Sequence, residues 1–463
     1  MPTARYANHR KLLLLGALPI AGFAAWGLAH LAALAGAIEG HPYDMSAAWM
    51  ASFLLLWWVP LAWFERPIRA PRERRAELDA LTVTVQIPVY NEDPEALRAC
   101  LRSVLAQSRP VDRVRVVNDG SADKATGAPI HYDDVRREFE AAAARLGVET
   151  TWDRTENRGK RFAQMHVLAH DDADIFMTLD SDSVLDRHAV REGLQPFADP
   201  RVQSVAGHVL VLNRTATLLT RLTCVLYLPF TRGLRSAQSV LRRVTINSGT
   251  LAFYRAAVVR RCAGAYENEH FRGRPMQMND DSMLTFYALL AGDTVHQPSS
   301  MVFTLVPERF GHYANQQLRW MRGTTVRHLW WLRYMPLTGV VFWATVAEYL
   351  HLLLAVAIPV VLLADPVCRG HLGEFSMAAG QVGLAMCYLM ALRLFTVERS
   401  DEPLRARLLM FALAPVASLW RLVVLRPLYL YALVTCWRIN QWGTRGSVEV
   451  ALTATGAAEP ARV

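Results

Sequence analysis

Two patterns of apolar residues divide the 463-residue chain, and they predict two kinds of structure. Near both ends the apolar runs are long and nearly free of charge, at residues 12–38, 45–64, 338–364 and 376–395. Each has about the 20 residues that a helix needs to cross a bilayer. Between them, short β-branched segments alternate with segments of helical spacing. The pattern predicts a water-soluble domain set between groups of membrane-spanning helices.

Positive charges beside the long runs predict their orientation. Arg5, Arg10 and Lys11 precede the first run and a group of arginines follows the second, whereas the loop between them has Glu39 and Asp44 and no Lys or Arg. Because positive flanks stay inside, both ends of this hairpin should be cytosolic. We therefore expect a multi-pass protein of the plasma membrane, in contact with the lipid bilayer, whose central domain is cytosolic.

The last apolar stretch, residues 408–437, is interrupted by prolines and by Arg421 and Arg426. It is long for one crossing and short for two, which favours a tilted or re-entrant hairpin. The two arginines either line a channel or extend to the inner interface. The predicted division is a membrane hairpin at 1–75, a cytosolic domain at 76–323, an interfacial helix at 324–337, a membrane region at 338–440, a gating segment at 441–447 and a disordered tail at 448–463.

Strands and helices alternate in the central domain. The pattern predicts strands at 81–88, 111–119, 149–153 and 174–180, and helices at 94–107, 132–146 and 160–170. Such alternation favours an α/β domain with a mostly parallel, doubly wound sheet. Ligands of these sheets bind beyond the carboxyl ends of the strands, so the residues that follow each strand are the candidates for chemistry.

Composition narrows the class of ligand. The net charge is +9 and 52% of the residues are hydrophobic, which suits nucleic acid, anionic lipid or an anionic substrate such as a nucleotide sugar. No basic and aromatic motif for nucleic acid occurs, so we expect no nucleic-acid partner. Six scattered cysteines without a CxxC pair argue against a disulfide framework and favour a reducing compartment.

Asp180 and Asp182 follow the strand predicted at 174–180, two residues apart. Carboxylates at this spacing can face one Mg²⁺ or Mn²⁺ that also binds diphosphate oxygens. The same sequence also suits an ordinary Asp-Ser-Asp turn. The position after a buried strand favours the metal site.

Residues after the other strands suit a nucleotide. Asp119 can accept a hydrogen bond from a uracil imide or form an Asx turn, and Tyr90 can stack on a base or pack as a loop aromatic. Lys160 and Arg161 can neutralise a diphosphate. They also fit a helix start that happens to be basic.

Asn279-Asp280-Asp281 places two carboxylates side by side. Repulsion between adjacent carboxylates raises the pKa of one of them, which makes Asp281 a candidate general base. The alternative is that Asp280 caps the helix that follows.

Gln316, Arg319 and Trp320 share a helical spacing, which lets an arginine hold a departing diphosphate beside an indole that stacks on a sugar. An interfacial helix with a belt tryptophan explains the same pattern. After the last apolar stretch, Trp442 and Arg445 suit either a lid over the diphosphate or an ordinary juxtamembrane segment.

Taken in order, these motifs resemble the membrane-embedded family-2 glycosyltransferases, and among them the hyaluronan synthases. The matching segments cover nearly the whole chain and are IPVYNED (87–93), NRGKRFAQ (157–164), DADIFMTLDSD (172–182), NRTATLLTR (213–221), NDDSMLT (279–285), QQLRW (316–320) and WGTR (442–445). Chitin-oligosaccharide synthases of the nodulation type share QQLRW, and FRGRP (271–275) is similar to them as well. Cellulose synthases share less of the C-terminal part.

The resemblance implies a GT-A fold, a UDP-sugar donor, Mg²⁺ or Mn²⁺ and inversion by one direct displacement. It implies that Asp281 is the base beside Asp280 and that Asp182, with Asp180, binds the metal. The other implied residues contact UDP (Tyr90, Glu92, Asp119, Lys160, Arg161, Asp180, Arg319, Trp442, Arg445) or the acceptor (Gln316, Trp320, Ser248, Gly249).

Three positions depart from the family pattern. Thr250 replaces the proline of a Gly-Pro-Leu sequence, Ser282 replaces an arginine after the acidic pair, and Leu234 replaces an acidic residue. These departures leave the residues expected to bind the nucleotide and the metal unchanged. They put in doubt which acceptor is used and which product is made. The expected function is processive synthesis of a β-linked polysaccharide such as hyaluronan from UDP-GlcNAc and UDP-glucuronate, with export of the growing chain by a protein that can act as a monomer. The alternatives are a chitin-like synthase that uses UDP-GlcNAc alone, and a non-catalytic channel or scaffold.

Overall fold

The computed structural model describes residues 2–7, 9–37, 56–123, 125–276, 278–438 and 451–452. The strands are β1 Ala4–Tyr6, β2 Val83–Val89, β3 Arg113–Asp119, β4 Glu149–Thr155, β5 Ile175–Leu179, β6 Ser183–Leu185, β7 Val202–Val211, β8 Leu251–Arg255, β9 His270–Phe271, β10 Arg274–Pro275, β11 Asp293–Thr304 and β12 Val397–Arg399.

The α-helices are α1 Arg10–Ala37, α2 Trp58–Ala62, α3 Arg75–Asp79, α4 Pro94–Leu105, α5 Asp133–Leu146, α6 Lys160–Leu168, α7 Ala189–Leu194, α8 Leu218–Leu228, α9 Arg235–Val240, α10 Ala256–Glu267, α11 Asp280–Ala291, α12 Phe310–Tyr334, α13 Val340–Ala364, α14 Pro366–Gly370, α15 Leu372–Ala391, α16 Leu404–Ala412, α17 Ala414–Trp420 and α18 Arg426–Val434. Shorter 3₁₀ or π-helical turns cover Arg72–Arg74, Gln195–Ala198, Pro229–Leu234, Leu392–Thr396 and Arg421–Leu425.

In the described part of the chain, eight strands form one mixed sheet in the order β4-β3-β2-β5-β8-β7-β11-β6. Strands β4, β3, β2 and β5 are parallel, as predicted. In the other half β7 and β11 are also parallel, but the sheet is mixed, because β8 is antiparallel to both neighbours and β6 is antiparallel to β11. The short apolar sequence of β8 fits either direction, so the pattern alone could not set it. Its reversal places the start of β8 beside the carboxyl end of β5, where Leu251 pairs with Leu179.

The sheet is buried on both faces, which explains its continuous apolar strands. Ile175, Met177 and Leu179 of β5 join a core with α4 and α5, whereas Phe176 joins the core formed with α6, α10 and α11. This alternation follows from the two-residue period of a strand. Most predicted elements of this half lie within three residues of the observed bounds.

Four helices among the described residues are long and apolar enough to cross a membrane: Leu13–Leu34, Val340–Ala364, Leu372–Thr396 and Ala414–Val434. Most of the run predicted at 45–64 lies outside the described residues. Its last part, from residue 56 onward, is described and contains α2. Helices α1 and α15 pack closely, since a Cβ on Gly27 would lie 2.9 Å from Val382. The stretch predicted at 408–437 is divided into α16, α17, a π-helical turn and α18.

Two features cross the predicted domain boundaries. Helix α12 continues without a break through the boundary predicted at residue 323. In the tail predicted to be disordered, Leu452 is buried and its N–H donates to Asp93 Oδ2 at 3.0 Å. The same Asp93 oxygen accepts from Ala96 N–H and so caps α4. The tail therefore has an anchor beside the loop that follows β2.

Candidate active site

A lysine and three carboxylates meet at the carboxyl edge of the sheet. The Nζ atom of Lys160, at the start of α6, lies 2.7 Å from Asp180 Oδ1 and 3.5 Å from Asp280 Oδ2. Burial of Lys160 lowers its pKa, but the charges of Asp180, Asp280 and Asp281 outweigh burial and raise the pKa overall. The ammonium group therefore stays protonated at neutral pH and links the DSD turn to the start of α11.

Asp281 accepts two backbone hydrogen bonds. Gly249 N–H donates to Asp281 Oδ2 at 3.0 Å, and Ser282 N–H donates to Asp281 Oδ1 at 2.7 Å. Burial is the largest cause that raises the pKa of Asp281, and the charge of Asp280 adds to it, while Lys160 opposes both. The result is a positioned carboxylate that binds a proton more readily than an ordinary aspartate.

Asp280 does not occupy the capping position considered above. Asn279 stands there, with a left-handed φ of 60°, and Asp280 is the first residue of α11. Asp280 is buried, and its Oδ1 has no hydrogen-bond partner among the described residues. A buried acceptor of this kind is suited to a cation or a donor supplied by a ligand.

The loop before β8 joins the acidic cluster. Thr250 Oγ1 donates to Asp180 Oδ2 at 3.3 Å and lies 3.1 Å from Ser248 Oγ. Proline, the residue of the family pattern at this position, has no such hydroxyl. At Gly249 a Cβ would lie 2.7 Å from Lys160 Nζ. The loop thus passes close to Lys160 at Gly249 and gains a hydrogen bond to Asp180 at the next residue.

Asp119, at the end of β3, holds the loop that leads to Lys160. Its carboxylate accepts N–H bonds from Arg158 at 3.0 Å and Gly159 at 2.8 Å. Burial raises the pKa of Asp119, and these hydrogen bonds partly offset that effect. Gly120, with φ of 72°, lets this loop approach, since a Cβ there would lie 2.6 Å from Asn157 N. Asp119 therefore organises the site whether or not it also contacts a base.

The residues after β2 and β5 are connected to each other. Tyr90 is half-buried, and Glu92 Oε2 accepts a 2.7 Å hydrogen bond from Ser181 Oγ in the DSD turn. Asp182 Oδ1 accepts from the hydroxyl of Ser183 at 3.1 Å. Glu92 thus holds the turn that presents both aspartates.

Arg161 points to a different set of partners from Lys160. Its guanidinium pairs with Glu269 and donates to the carbonyls of Tyr266 at 3.2 Å and Met278 at 2.7 Å. These contacts tie α6 to the segment just before Asn279. They give Arg161 a positioning role, in contrast to the diphosphate contact that its place in the sequence predicts.

Helix α12 carries Gln316 and Trp320, two of the four predicted acceptor residues, and also Arg319. Trp320 is 40% exposed, and its ring centroid lies 6.3 Å from that of Tyr227. Arg319 is half-buried, and Gln316 Oε1 is buried without a hydrogen-bond partner among the described residues. Trp442 and Arg445 lie outside the described residues.

A glycine on α12 sets the distance between this helix and the base. A Cβ on Gly323 would lie 1.7 Å from Asn279 Nδ2, so the helix backbone packs directly on the residue before Asp280. Arg327 Nη2 also donates to the Asn279 carbonyl at 3.4 Å. Sequence reasoning missed Gly323 and the Thr250 hydroxyl. The sequence could have indicated Gly323. Glycine is unfavourable inside a helix, and this one lies one turn after Arg319, which suggests a packing role.

The comparisons agree with this architecture. Residues 80–323 match the model of the family described as "Glycosyltransferase like family 2". A solved structure of a mannosyltransferase from Pyrobaculum calidifontis, in complex with GDP-Man and Mn²⁺, superposes with a TM-score of 0.52 at 22% identity, over 84% of this chain and 99% of that one. The GT-A-like fold is thereby confirmed, and the chain belongs to glycosyltransferase family 2.

Curated relatives extend the similarity beyond the central domain. Hyaluronan synthase of Streptococcus pyogenes serotype M1 is 31% identical over 369 residues, covering 80% of this chain and 84% of the relative. An N-acetylglucosaminyltransferase of Sinorhizobium fredii (strain NBRC 101917 / NGR234) is 32% identical over 79% of this chain and 84% of the relative. A second, from Rhizobium sp. (strain N33), is 35% identical over 55% of each chain. The predicted resemblance to both groups, and the prediction of a glycosyltransferase, are confirmed.

Proposed function

We propose that this protein is a processive, inverting membrane glycosyltransferase that polymerises UDP-sugars and passes the β-linked product across the membrane. The observation that carries the proposal is the hydrogen bond from Gly249 N–H to the half-buried carboxylate of Asp281, next to the Lys160–Asp180 ion pair. It combines a carboxylate of raised pKa with a fixed positive charge at the carboxyl edge of the sheet.

Asp281 is the proposed general base. The acceptor hydroxyl gives its proton to Asp281 while its oxygen bonds to C1 of the donor sugar. The bond from C1 to the diphosphate oxygen breaks in the same step, and UDP leaves with that electron pair. One displacement inverts the configuration at C1, so an α-linked donor yields a β-linked product. The raised pKa of Asp281 suits it to take this proton.

Asp182 and Asp180 are the proposed ligands of Mg²⁺ or Mn²⁺. The described residues include no cluster of three or more His, Cys, Asp or Glu arranged around one metal. Such a cluster is unnecessary for Mg²⁺, which commonly binds through one or two carboxylates with phosphates and water. The unpartnered buried Oδ1 of Asp280 adds a hard oxygen nearby, so the donor set fits. The ion, when bound, would supply positive charge at the leaving diphosphate.

The remaining predicted residues receive roles by their position. Tyr90, Glu92 and Asp119 form the proposed uridine side, with Asp119 also holding the Arg158–Gly159 loop. Arg319, Trp442 and Arg445 are proposed to stabilise UDP. On the other side, Trp320, Gln316, Ser248 and Gly249 are proposed to contact the acceptor sugar, since exposed indoles stack well on sugar rings.

The proposed donors are UDP-GlcNAc and UDP-glucuronate, giving hyaluronan. Similarity to hyaluronan synthase over 80% of the chain supports this choice. A second candidate, a chitin-like synthase that uses UDP-GlcNAc alone, is supported by the N-acetylglucosaminyltransferase relatives. The proposed setting is the plasma membrane, with the catalytic domain in the cytosol and the four apolar helices in the bilayer.

A donor-pair assay separates the two candidates. Purified full-length protein is given Mn²⁺ with UDP-GlcNAc, with UDP-glucuronate, or with both, and released UDP is measured. The hyaluronan proposal predicts sustained release only with both donors and a polymer that hyaluronidase degrades. Sustained release from UDP-GlcNAc alone, with a hyaluronidase-resistant product, would select the chitin-like reaction. No release under any condition would refute both.

A further inference from the structure

A second cluster of buried charge forms from residues other than those of the acidic site. Glu65 accepts hydrogen bonds from Ser236 Oγ at 2.6 Å and Arg393 Nη2 at 3.0 Å, and lies 2.6 Å from His296 Nδ1. This carboxylate and Arg393 neutralise one another. Arg232, whose side chain is only 1% exposed, is an additional positive charge in the same region.

Arg232 has no carboxylate at ion-pair distance among the described residues, and the charge of Glu65 acts on it only from farther away. Its guanidinium donates to Thr396 Oγ1 and to His208 Nε2, the latter at 3.3 Å, and it forms no ion pair among the described residues. Removing a charge from water without a counter-charge is costly, so buried arginines are normally paired. A structure that keeps Arg232 here is suited to receive an anion.

The donors in this cluster that form no hydrogen bond indicate that the site binds a hydrogen-bond acceptor. Arginine can only donate, so His208 Nε2 must accept from Arg232 and the proton of neutral His208 sits on Nδ1. Within the described residues, His208 Nδ1, Arg232 Nε and Arg393 Nε have no hydrogen-bond partner. All three are N–H donors on side chains that are at least nine-tenths buried.

The same three side chains line one cavity of about 60 Å³. Arg214 and Arg399 add positive charge to its wall and pair with Asp401, and Glu402, which also lines the cavity, pairs with Arg214. A water molecule needs about 10–15 Å³ of such space, so the cavity has room for several waters or for one oxyanion group. Its apolar lining comes from Val209, Leu228, Leu394, Val397 and Met410.

We propose that this cavity, lined by His208, Arg232 and Arg393, is a binding site for a phosphate group. Phosphate offers several acceptor oxygens and a negative charge, which matches three N–H donors and one unpaired arginine. Arg393 and Leu394, at the end of the candidate span Leu372–Thr396, line the cavity, so the phosphate source is either a lipid headgroup or free phosphate. The proposal is independent of the transfer reaction above.

The test uses full-length protein in maltoside micelles, which contain no phosphate, and follows thermal unfolding. Inorganic phosphate and phosphatidylglycerol are added separately, with chloride at equal ionic strength as reference. We expect a rise in Tm of about 3 °C from the ligand that fits. A rise with inorganic phosphate identifies a free-anion site, and a rise with phosphatidylglycerol alone identifies a headgroup site.

Arg232→Gln should abolish the rise, whereas Arg201→Gln, a change at a side chain that is 73% exposed, should retain it. His208→Phe, which keeps the ring and removes its N–H, should reduce it and serves if Arg232→Gln does not fold. Absence of any rise in the native protein would overturn the proposal and leave a water-filled cavity. A rise that persists in both variants would place the anion elsewhere and overturn it equally.

Discussion

The two buried charge clusters of this protein differ in the sign of the charge that is left over. At the sheet edge, one ammonium, Lys160, faces the carboxylates of Asp180, Asp280 and Asp281. In the second cluster, the carboxylate of Glu65 pairs with Arg393, and Arg232 has no ion-pair partner among the described residues. The first cluster is suited to cations and protons, and the second to an anion.

The comparison shows that the sign of an uncancelled buried charge indicates the charge of the ligand that the cluster can bind. A balanced buried pair is compatible with a purely structural role, whereas an unbalanced one is costly without a partner. In the acidic cluster the surplus also raises the pKa of Asp281, because Asp280 adds repulsion to the effect of burial. Function is therefore expected where the charges fail to cancel.

Asp281→Asn is expected to have the largest effect, because it removes the proposed proton acceptor while keeping the size of the side chain. UDP release should fall about 10³-fold or more, with UDP binding by calorimetry within a few-fold of the native protein. Asp134→Asn, at an exposed side chain of α5, is the matched control and should keep native turnover. Native turnover in Asp281→Asn would remove this residue from the mechanism and break the link between surplus charge and function.

Gly323→Ala asks whether the acidic cluster depends on helix α12. The added methyl group would collide with Asn279, so the residue before Asp280 must shift. Because small displacements of reacting groups are costly, we expect a fall in turnover of about 10- to 100-fold. Gly311→Ala is the control on the same helix, since a Cβ at Gly311 meets nothing within 4 Å. Equal activity of the two variants would show that α12 does not position the base.

Thr250→Val should have the smallest effect. It keeps the shape of the side chain and removes the 3.3 Å hydrogen bond to Asp180. The loss of about 1 kcal/mol corresponds to about a fivefold drop in turnover or in apparent Mn²⁺ affinity. Thr250→Ser, which keeps the hydroxyl, should remain near native. If Val and Ser variants behave alike, the hydroxyl has no part in holding Asp180.

Local patterns predicted much of the acidic site. Apolar runs bounded by polar residues predict the strand ends near Asp119 and Asp180 and the start of α6 at Lys160. The structure brings Lys160 together with Asp180. The elements that differ depend on partners far along the chain. Strand direction in β8 and the pairing of Arg161 with Glu269 are set by packing between segments about 50 to 110 residues apart, which no local period encodes.

The second cluster shows the same limit more strongly. Glu65, Arg232 and Arg393 come from three distant segments; alone, Glu65 and Arg393 resemble ordinary residues beside membrane helices, and Arg232 resembles an ordinary arginine of the cytosolic domain. Positive charges there predict only membrane orientation. The burial of Arg232 and Arg393 around one cavity depends on how the sheet meets the C-terminal helices, which becomes visible only in the folded chain.

The most direct test of the acidic cluster is the pH dependence of UDP release by the native protein and by Lys160→Met. A base acts when deprotonated, so the rate should rise with pH through the raised pKa of Asp281, above the ordinary aspartate value of about 4. Because the Lys160 charge lowers the pKa of Asp281, its removal should move this rise to still higher pH. A rise near pH 4 that does not move in Lys160→Met would contradict the account.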